Sequence, residues 1–361
     1  LLAFRFIERP VRSHPLPGGV QTVLALAAVG GSWAGIDALA HPYRGQLFLG
    51  SSSDPVPRHE KISEHEPVIP DTAMTTRNCA VVTEAPYNAT TRADYDACQK
   101  PPGRPGSGEI FLLGDSHAHH LIPMLDAVTD ATGQRLTMTF KSSCLISPDL
   151  TISFDGKPYE PCRQFSEGEM ERALRRLQAG DIVVISTWLN RQLGDIENNG
   201  EAADFPVHDG WERLTPKQVR QSYFNSMRRF ASQLAERGIA LVLVVDVPEL
   251  LRDPVVCEAW ASLQSDAGRG TICAPPADIT ARMQTTVKDT LLAIADGMDN
   301  VRVFDPTALL TDQGRTRHRL ADGTLLYSDW HHLSWSGSRM LAEPFLAFLQ
   351  DAGLVRPGAK G

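Results

Sequence analysis

The sequence predicts an α/β fold, a three-layer α/β/α flavodoxin-like parallel sheet with helices on both faces. Three observations carry this. Short apolar runs such as Ile182-Val183-Val184-Ile185 and Leu241-Val242-Leu243-Val244-Val245 do not alternate with polar residues, so both faces of each strand are covered. Longer stretches with apolar residues at helical spacing lie between such runs. Phe111-Leu112-Leu113 ends abruptly in Gly114-Asp115-Ser116-His117, as a central strand does where it turns into a helix.

The 361 residues suffice for one large or two modest domains. A formal charge of −8, with no Lys/Arg run, argues against a nucleic-acid partner. No internal repeat is visible. Leu1 is not Met, so the chain reads as beginning within a longer protein. Residues 1–17 hold an apolar start, Leu1–Ile7, followed by Glu8-Arg9-Pro10-Val11-Arg12. Residues 18–40 follow as a predicted transmembrane helix: Val20–Leu39 is broken only by Gln21, Thr22, Ser32 and Asp37, and is long enough to cross a bilayer. Arg5, Arg9 and Arg12 precede it, whereas Asp54, Glu60, Glu64 and Glu66 come after, so the remainder is expected outside the cytoplasm. Two other readings stand beside this one. Ala38-Leu39-Ala40 has the look of a signal-peptide cleavage site, and the glycine-rich segment would also suit a buried soluble helix.

Residues 41–108, rich in Pro, Ser and Gly, read as a linker plus an irregular extension packed on the main domain, 109–354. That domain has expected strands at Glu109–Leu113, Arg135–Phe140, Asp181–Thr187, Ile239–Asp246 and Val301–Phe304. Helices are expected near Ala118–Ala131, Phe165–Gln178, Pro216–Arg237, Ala277–Gly297 and Trp335–Leu349. Right-handed crossovers bring Ser116, the Thr187 loop and the Asp246 loop to the strands' carboxyl edge, where ligands of such sheets bind. The six cysteines fall into three local pairs in loop sequence, Cys79/Cys98, Cys144/Cys162 and Cys257/Cys273. Loop-stapling disulfides in an oxidising compartment are expected, with reduced, partly buried thiols as the other reading. No Cys-x-x-Cys is present to suggest zinc.

Ser116 has two readings. It is a nucleophile whose own N–H lies in the unsatisfied first helical turn, or it and Asp115 simply cap the helix. A nucleophilic serine needs a base, and the base a carboxylate to hold its tautomer. Asp329 and His332, in Ser328-Asp329-Trp330-His331-His332-Leu333-Ser334, offer both from one turn of chain. An Asp-x-x-His taken alone is more often a helix N-cap with a solvated histidine.

Together the Gly-Asp-Ser-His and Asp-x-x-His blocks resemble the SGNH hydrolase superfamily. The resemblance implies Ser116 as nucleophile, His332 as base and Asp329 as its orienting carboxylate, with His331 the competing base. Oxyanion donors would be the Ser116 N–H, a backbone N–H from Ser143 and the Asn190 side chain. The glycines that usually accompany the last two are missing here. Phe6-Ile7-Glu8-Arg9-Pro10-Val11-Arg12 resembles the closing sequence of the core helices of the acyltransferase 3 family, membrane enzymes that O-acylate surface glycans and often carry a C-terminal SGNH domain.

This double resemblance implies O-acyl transfer, with acetyl the expected group, through an acyl-serine to hydroxyls of a cell-envelope polysaccharide or lipid-linked glycan. The domain would need no metal or cofactor of its own. Acetyl-CoA would supply a membrane acyltransferase domain in the same chain, and the SGNH domain would lie on the periplasmic or extracellular side of the cytoplasmic membrane. The alternatives are an exported carbohydrate esterase using the same triad and a non-catalytic glycan-binding module. A rival reading takes Asp115, His117, His119 and His120 as part of a metal-dependent phosphoesterase, but the upstream Asp-x-His and downstream Gly-Asn-His that it needs are missing. His119 and His120 are instead expected on outer helix faces or beside the cleft. Trp188 and Trp330 are read as stacking on sugar rings or as packing.

Overall fold

A computed structural model of the chain describes residues 98–154, 156–194, 206–261 and 273–356, together with Gly31, Cys79, Tyr87, Asn88 and Asp94. The expected end of a membrane domain (1–17), all of the expected membrane helix (18–40) but Gly31, and nearly all of 41–97 lie outside the described residues. Among the described residues no helix is long and apolar enough to cross a membrane. The chain divides into two units, Leu1–Ser52 and Ser53–Gly361, and every described residue but Gly31 belongs to the second.

In chain order the elements are β1 (Gln99–Lys100), β2 (Glu109–Gly114), α1 (Ser116–His119), α2 (Ile122–Thr132), β3 (Arg135–Phe140), β4 (Thr151–Phe154), β5 (Lys157–Pro158) and α3 (Glu160–Arg176). They continue with β6 (Ile182–Ser186), α4 (Leu189–Leu193), β7 (Val207–Asp209), β8 (Glu212–Arg213), α5 (Pro216–Ala235), β9 (Ala240–Val244), α6 (Pro254–Ala261) and α7 (Ala277–Ala295). Last come β10 (Val301–Phe304), β11 (Thr311–Asp312), β12 (Arg315–Thr316), α8 (Trp335–Met340) and α9 (Ala342–Asp351).

The main sheet runs β1-β3-β2-β6-β9-β10. Its five long strands are all parallel, with Leu113 opposite both Thr139 and Ile185. Counted among themselves they follow the flavodoxin-like order, in which the second strand lies outside the first. The apolar runs behave as their composition demands: every residue of β2, β6 and β9 is buried. Helices α2, α8 and α9 pack on one another, and α4, α5 and α7 form a second mutually packed group. These are the outer layers of the α/β/α arrangement. Helix α5 begins at a capping box, with the Thr215 hydroxyl accepting from Gln218 N–H and the Gln218 side chain accepting from Thr215 N–H.

Two expected helices are each broken in two, for one physical reason. Pro123 cannot donate to the carbonyl of His119, nor Pro344 to that of Met340, so the chain steps out of helix before α2 and again before α9. Irregular sequence hid the pairing of β1 antiparallel to β3. It also hid a small sheet of order β5-β4-β7-β8, whose strands are too short to show a period.

All three sequence-local cysteine pairs are disulfides: Cys79–Cys98, Cys144–Cys162 and Cys257–Cys273, with Cα separations of 5.1, 5.3 and 5.5 Å. The expected loop setting needs correction at three of the six, Cys79, Cys162 and Cys257, each of which is helical. Cys162 lies not in a loop but in the first turn of α3, which starts five residues before the expected Phe165. Pro161 makes that stretch look like loop, yet a proline fits the first turn, where its missing N–H has no helical partner to lose. Cys162 is fully buried there, and its N–H donates to the Tyr159 carbonyl at 3.0 Å. The bond to Cys144 therefore fastens the loop after β3 to the start of α3 rather than joining two loops. Cys257 likewise lies in α6, which opens on Pro254.

The first disulfide ties Cys79 to Cys98, just before β1. Tyr87 also docks on α3: its N–H donates to Gln164 and its hydroxyl bonds Glu169. A side chain at Gly168 would collide with the Tyr87 ring.

Gly114 closes β2 where β6 passes against it. A Cβ there would sit 1.8 Å from the Ser186 carbonyl oxygen and 2.6 Å from the Ala118 Cβ. Gly114→Ala must therefore push two central elements apart. It is expected to cost about 3 kcal/mol, as overpacking in a core does. A urea titration checks this, and a wild-type midpoint would show that the strand yields without cost.

Candidate active site

Parallel strands put their carboxyl ends on one edge, and there β2 leads into Asp115-Ser116, β6 into Trp188 and β9 into Asp246. Asp115 caps α1, its Oδ1 accepting the His117 N–H at 2.8 Å, while Oδ2 accepts the Trp188 N–H at 3.1 Å. Ser116 opens the helix and Asp115 caps it, so the capping and nucleophile readings are compatible. The Ser116 N–H makes no hydrogen bond among the described residues.

The Asp329–His332 turn arrives from the other end of the chain. A bridge between Tyr327 and Leu333 closes its base, and Ser328 N–H donates to the His332 carbonyl at 2.9 Å. Two bonds tie it to the loop after β9: Tyr327 Oη to the Pro248 carbonyl at 2.8 Å and Leu250 N–H to the Trp330 carbonyl at 2.7 Å. Held in this way, His332 Nε2 lies 2.8 Å from Ser116 Oγ, and its Nδ1 lies 2.6 Å from Asp329 Oδ2. Asp329 Oδ1 accepts the backbone N–H groups of His331 at 2.8 Å and His332 at 2.7 Å. Burial would raise the Asp329 carboxyl. The hydrogen bond and charge of His332, with the His331 N–H, outweigh burial and hold it well below the usual carboxylate range.

His331 does not face the serine. Its Nδ1 lies 3.0 Å from His117 Nε2, and its Nε2 is 4.0 Å from Asp329 Oδ1. Ser143 follows β3 with φ of 60°, a left-handed conformation unusual for serine, and its N–H makes no hydrogen bond among the described residues. Asn190 is fully buried, and its amide donates to Glu249 at 2.9 Å. That bond uses one of the two N–H groups of the amide.

Of the two expected places His120 takes the one beside the cleft: it is buried 5.8 Å from the His332 ring, with Nδ1 accepting the Leu333 N–H at 3.4 Å. His119 is half-buried against Phe140. Burial is the main cause that lowers His119 to about 4 and takes His120 well below the usual imidazole range. Trp188 is buried too, stacked on His331 at 3.9 Å and 13°, with Trp330 edge-on at 5.3 Å. This is the packing reading of Trp188.

The sequence did not signal the buried carboxylates under the edge. Asp246 accepts the N–H groups of Leu189 at 3.2 Å and Asn190 at 2.8 Å, and Glu249 accepts the Trp188 indole N–H at 2.7 Å. Both fall in an apolar strand-end loop whose spacing matches no motif. Burial pushes Asp115 up to about 6. It pushes Asp246 well above the carboxylate range, aided by the charge of Glu249.

Ring nitrogens of His117, His331 and His332 lie within 4.8 Å of one another. A cation there would have to displace hydrogen bonds already made to Ser116, Asp329 or between the rings, so the cluster is read as a hydrogen-bonded stack. Glu258, His318 and Cys273 are similarly close, but the sulfur of Cys273 is bound in a disulfide and cannot coordinate as a thiolate.

Residues 79–347 match the profile of the SGNH domain family described as fused to AT3 domains. No curated protein matches the chain in sequence. Among solved structures, the periplasmic domain of a lipopolysaccharide acetyltransferase from Salmonella ser. Paratyphi A is similar at a TM-score of 0.48 and 14% identity, over 76% of this chain and 91% of that one. A catalytic mutant of an acetylxylan esterase from Geobacillus stearothermophilus is similar at 0.38 and 13%, over 71% and 99%.

Proposed function

Since the chain belongs to the SGNH domain family fused to AT3 domains, we propose that it transfers acyl groups, acetyl first among them, to hydroxyls of a cell-envelope glycan through an acyl-Ser116 intermediate. The observation that carries this reading is His332, placed between the Ser116 hydroxyl at 2.8 Å and the Asp329 carboxylate at 2.6 Å.

Ser116 Oγ attacks the acyl carbonyl as its proton passes to His332 Nε2, and Asp329 stabilises the imidazolium that forms. The oxyanion takes hydrogen bonds from the N–H groups of Ser116 and Ser143. His332 then returns the proton to the leaving group, and the acyl group remains on Ser116 Oγ as an ester. In the second half His332 removes the proton of a sugar hydroxyl, whose oxygen attacks the ester carbon. The oxygen of Ser116 leaves and takes the proton back. Asp329 stays ionised throughout, since its carboxyl is held low.

In this scheme a membrane acyltransferase domain of the same protein draws acyl groups from acetyl-CoA in the cytoplasm. The SGNH domain works on the outer side of the cytoplasmic membrane, where its three disulfides persist. The test supplies p-nitrophenyl acetate and lipopolysaccharide-derived oligosaccharides to the chain and follows nitrophenol and acetylated sugar together. Acetylated sugar that depends on Ser116 is expected. Ser116-dependent release of free acetate alone would replace transfer by ester hydrolysis.

The two adjacent histidines should separate in the same assay. His332→Ala removes the base and is expected to cost at least about 10³-fold in kcat. His331→Ala removes the ring that His332 leans on but neither the base, the serine nor Asp329, and is expected to be milder by at least about tenfold. The reverse order would make His331 the base.

A further inference from the structure

Beneath the triad lies a second carboxylate–imidazole pair that the proposed mechanism does not use. His117 is buried, with Nδ1 3.4 Å from Asp246 Oδ1 and Nε2 3.0 Å from His331 Nδ1. The His331 ring lies between Trp188, 3.9 Å away and nearly parallel at 13°, and His332, also at 3.9 Å. The Trp188 indole is itself fixed by its hydrogen bond to Glu249. The ring of the proposed base therefore leans on a stack whose inner member, Trp188, is pinned by a buried carboxyl group.

Proton counting limits the states of this chain of groups. A neutral imidazole carries one N–H, and the two nitrogens 3.0 Å apart share one proton between them. In the first state His331 donates from Nδ1. His117 then carries its proton on Nδ1, facing an ionised Asp246, and His331 turns a bare Nε2 lone pair toward Asp329. In the second state His117 donates from Nε2. Its bare Nδ1 then faces a protonated Asp246, and His331 carries its proton on Nε2.

Two independent features select the second state. Asp329 Oδ1 lies 4.0 Å from His331 Nε2, a carboxylate that repels a lone pair and attracts an N–H. Asp246 is buried beside Glu249 and Asp115, where a third negative charge is costly.

We propose that Asp246 and His117 are positioning residues that lock His331 in its Nε2–H tautomer and, through the stack, hold the His332 ring against Ser116. Asp246 is a neutral acid 3.4 Å from His117 Nδ1, with no hydrogen bond between them, so it draws no proton to that nitrogen, and His117 Nε2–H donates to His331 Nδ1. No bond is made or broken in this role. The proton positions are set in the resting protein.

Ring ¹⁵N shifts of the histidine-labelled protein, read through long-range ¹H–¹⁵N correlations, report each tautomer directly. His331 is expected with a protonated Nε2 and a bare Nδ1. Asp246→Asn keeps an uncharged group beside His117 and should leave that signature in place, whereas His117→Leu removes the donor to His331 and should let the Nδ1–H form appear. Turnover of p-nitrophenyl acetate gives the second readout. His117→Leu is expected to lower kcat about 10- to 100-fold with KM little changed, and His117→Gln, whose amide can donate to His331 Nδ1, should recover most of the loss.

A protonated Nδ1 on His331 in the wild-type protein would overturn the proposal, and that reading needs no variant to fold. A His117→Leu protein with an unchanged His331 tautomer would overturn it as well. The effect on turnover rests on the triad reading, but the tautomer does not. Loss of the tautomer with intact Ser116 chemistry, or the converse, tells the two failures apart.

Discussion

Ser116→Ala is expected to abolish acyl turnover, with a loss of about 10⁴-fold or more in kcat, while far-ultraviolet circular dichroism and the unfolding midpoint stay at wild-type values. The size follows from the chemistry: without Oγ no covalent ester forms, and binding plus the oxyanion donors supply only residual rate. The fold should tolerate the change because Ser116 is half-buried and its described side-chain partner is His332 alone. The cap of α1 belongs to Asp115 and survives. Acetate release at the wild-type rate would remove the serine from the reaction altogether.

Asp329→Asn probes a different link. The present carboxylate accepts three N–H groups, from the His332 ring and from the backbones of His331 and His332. An asparagine can keep the backbone bonds through its oxygen, but it turns an NH₂ toward His332 Nδ1. The imidazole would then carry its proton on the nitrogen that faces Ser116, and could no longer accept one there. A fall of about 10⁴-fold in kcat with KM nearly unchanged is expected. A loss below about tenfold would mean that Asp329 merely shapes the turn.

The depressed carboxyl also fixes a sign for stability. Its contribution is fully present above the ordinary carboxylate range and is lost as pH falls through the lower folded value. The variant's stability deficit should therefore shrink on acidification. Asp115, raised to about 6 by burial, acts in the opposite sense: its burial costs stability as pH rises from the ordinary carboxylate value toward 6.

What could be read from the sequence depended on how much of the physics was local. The apolar runs of β6 and β9 announce buried strands because a strand covered on both faces has no polar positions. Gly114-Asp115-Ser116-His117 and the Asp-x-x-His turn could be found because each packs its chemistry into a few consecutive residues. Cysteine pairing was legible for the same reason, since Cys144 and Cys162 are only 18 residues apart. Helix ends were harder. Pro161 disguised the start of α3, and with it the helical setting of Cys162. Pro123 and Pro344 were visible, but whether each would kink, start or split a helix depended on the neighbours that capture the freed carbonyls.

The under-layer of the site was out of reach. Asp246, Glu249 and His117 are far apart in sequence from the groups they meet, and only the parallel register of β2, β6 and β9 brings their loops together. Nothing in Val244-Val245-Asp246-Val247 says that its carboxyl is buried. Whether His120 would lie on an outer face or beside the cleft was open for a related reason. A helix of four residues has no settled outer face, and the Leu333 N–H claims the ring from across the edge. Nor does anything local to Asn190 announce that one N–H of its amide goes to Glu249.

Acyl-serine chemistry can be tested by catching the acyl group on its residue. The chain is mixed briefly with p-nitrophenyl acetate, quenched in acid and digested, and the peptide that contains Ser116 is examined by mass spectrometry beside the same peptide from Asp329→Asn. One acetyl group on Ser116 is expected in the wild-type chain, discharged when a glycan acceptor is added before the quench, with little or none in the variant. Wild-type turnover with an unmodified Ser116, or with the acetyl group on another residue, would refute the covalent mechanism.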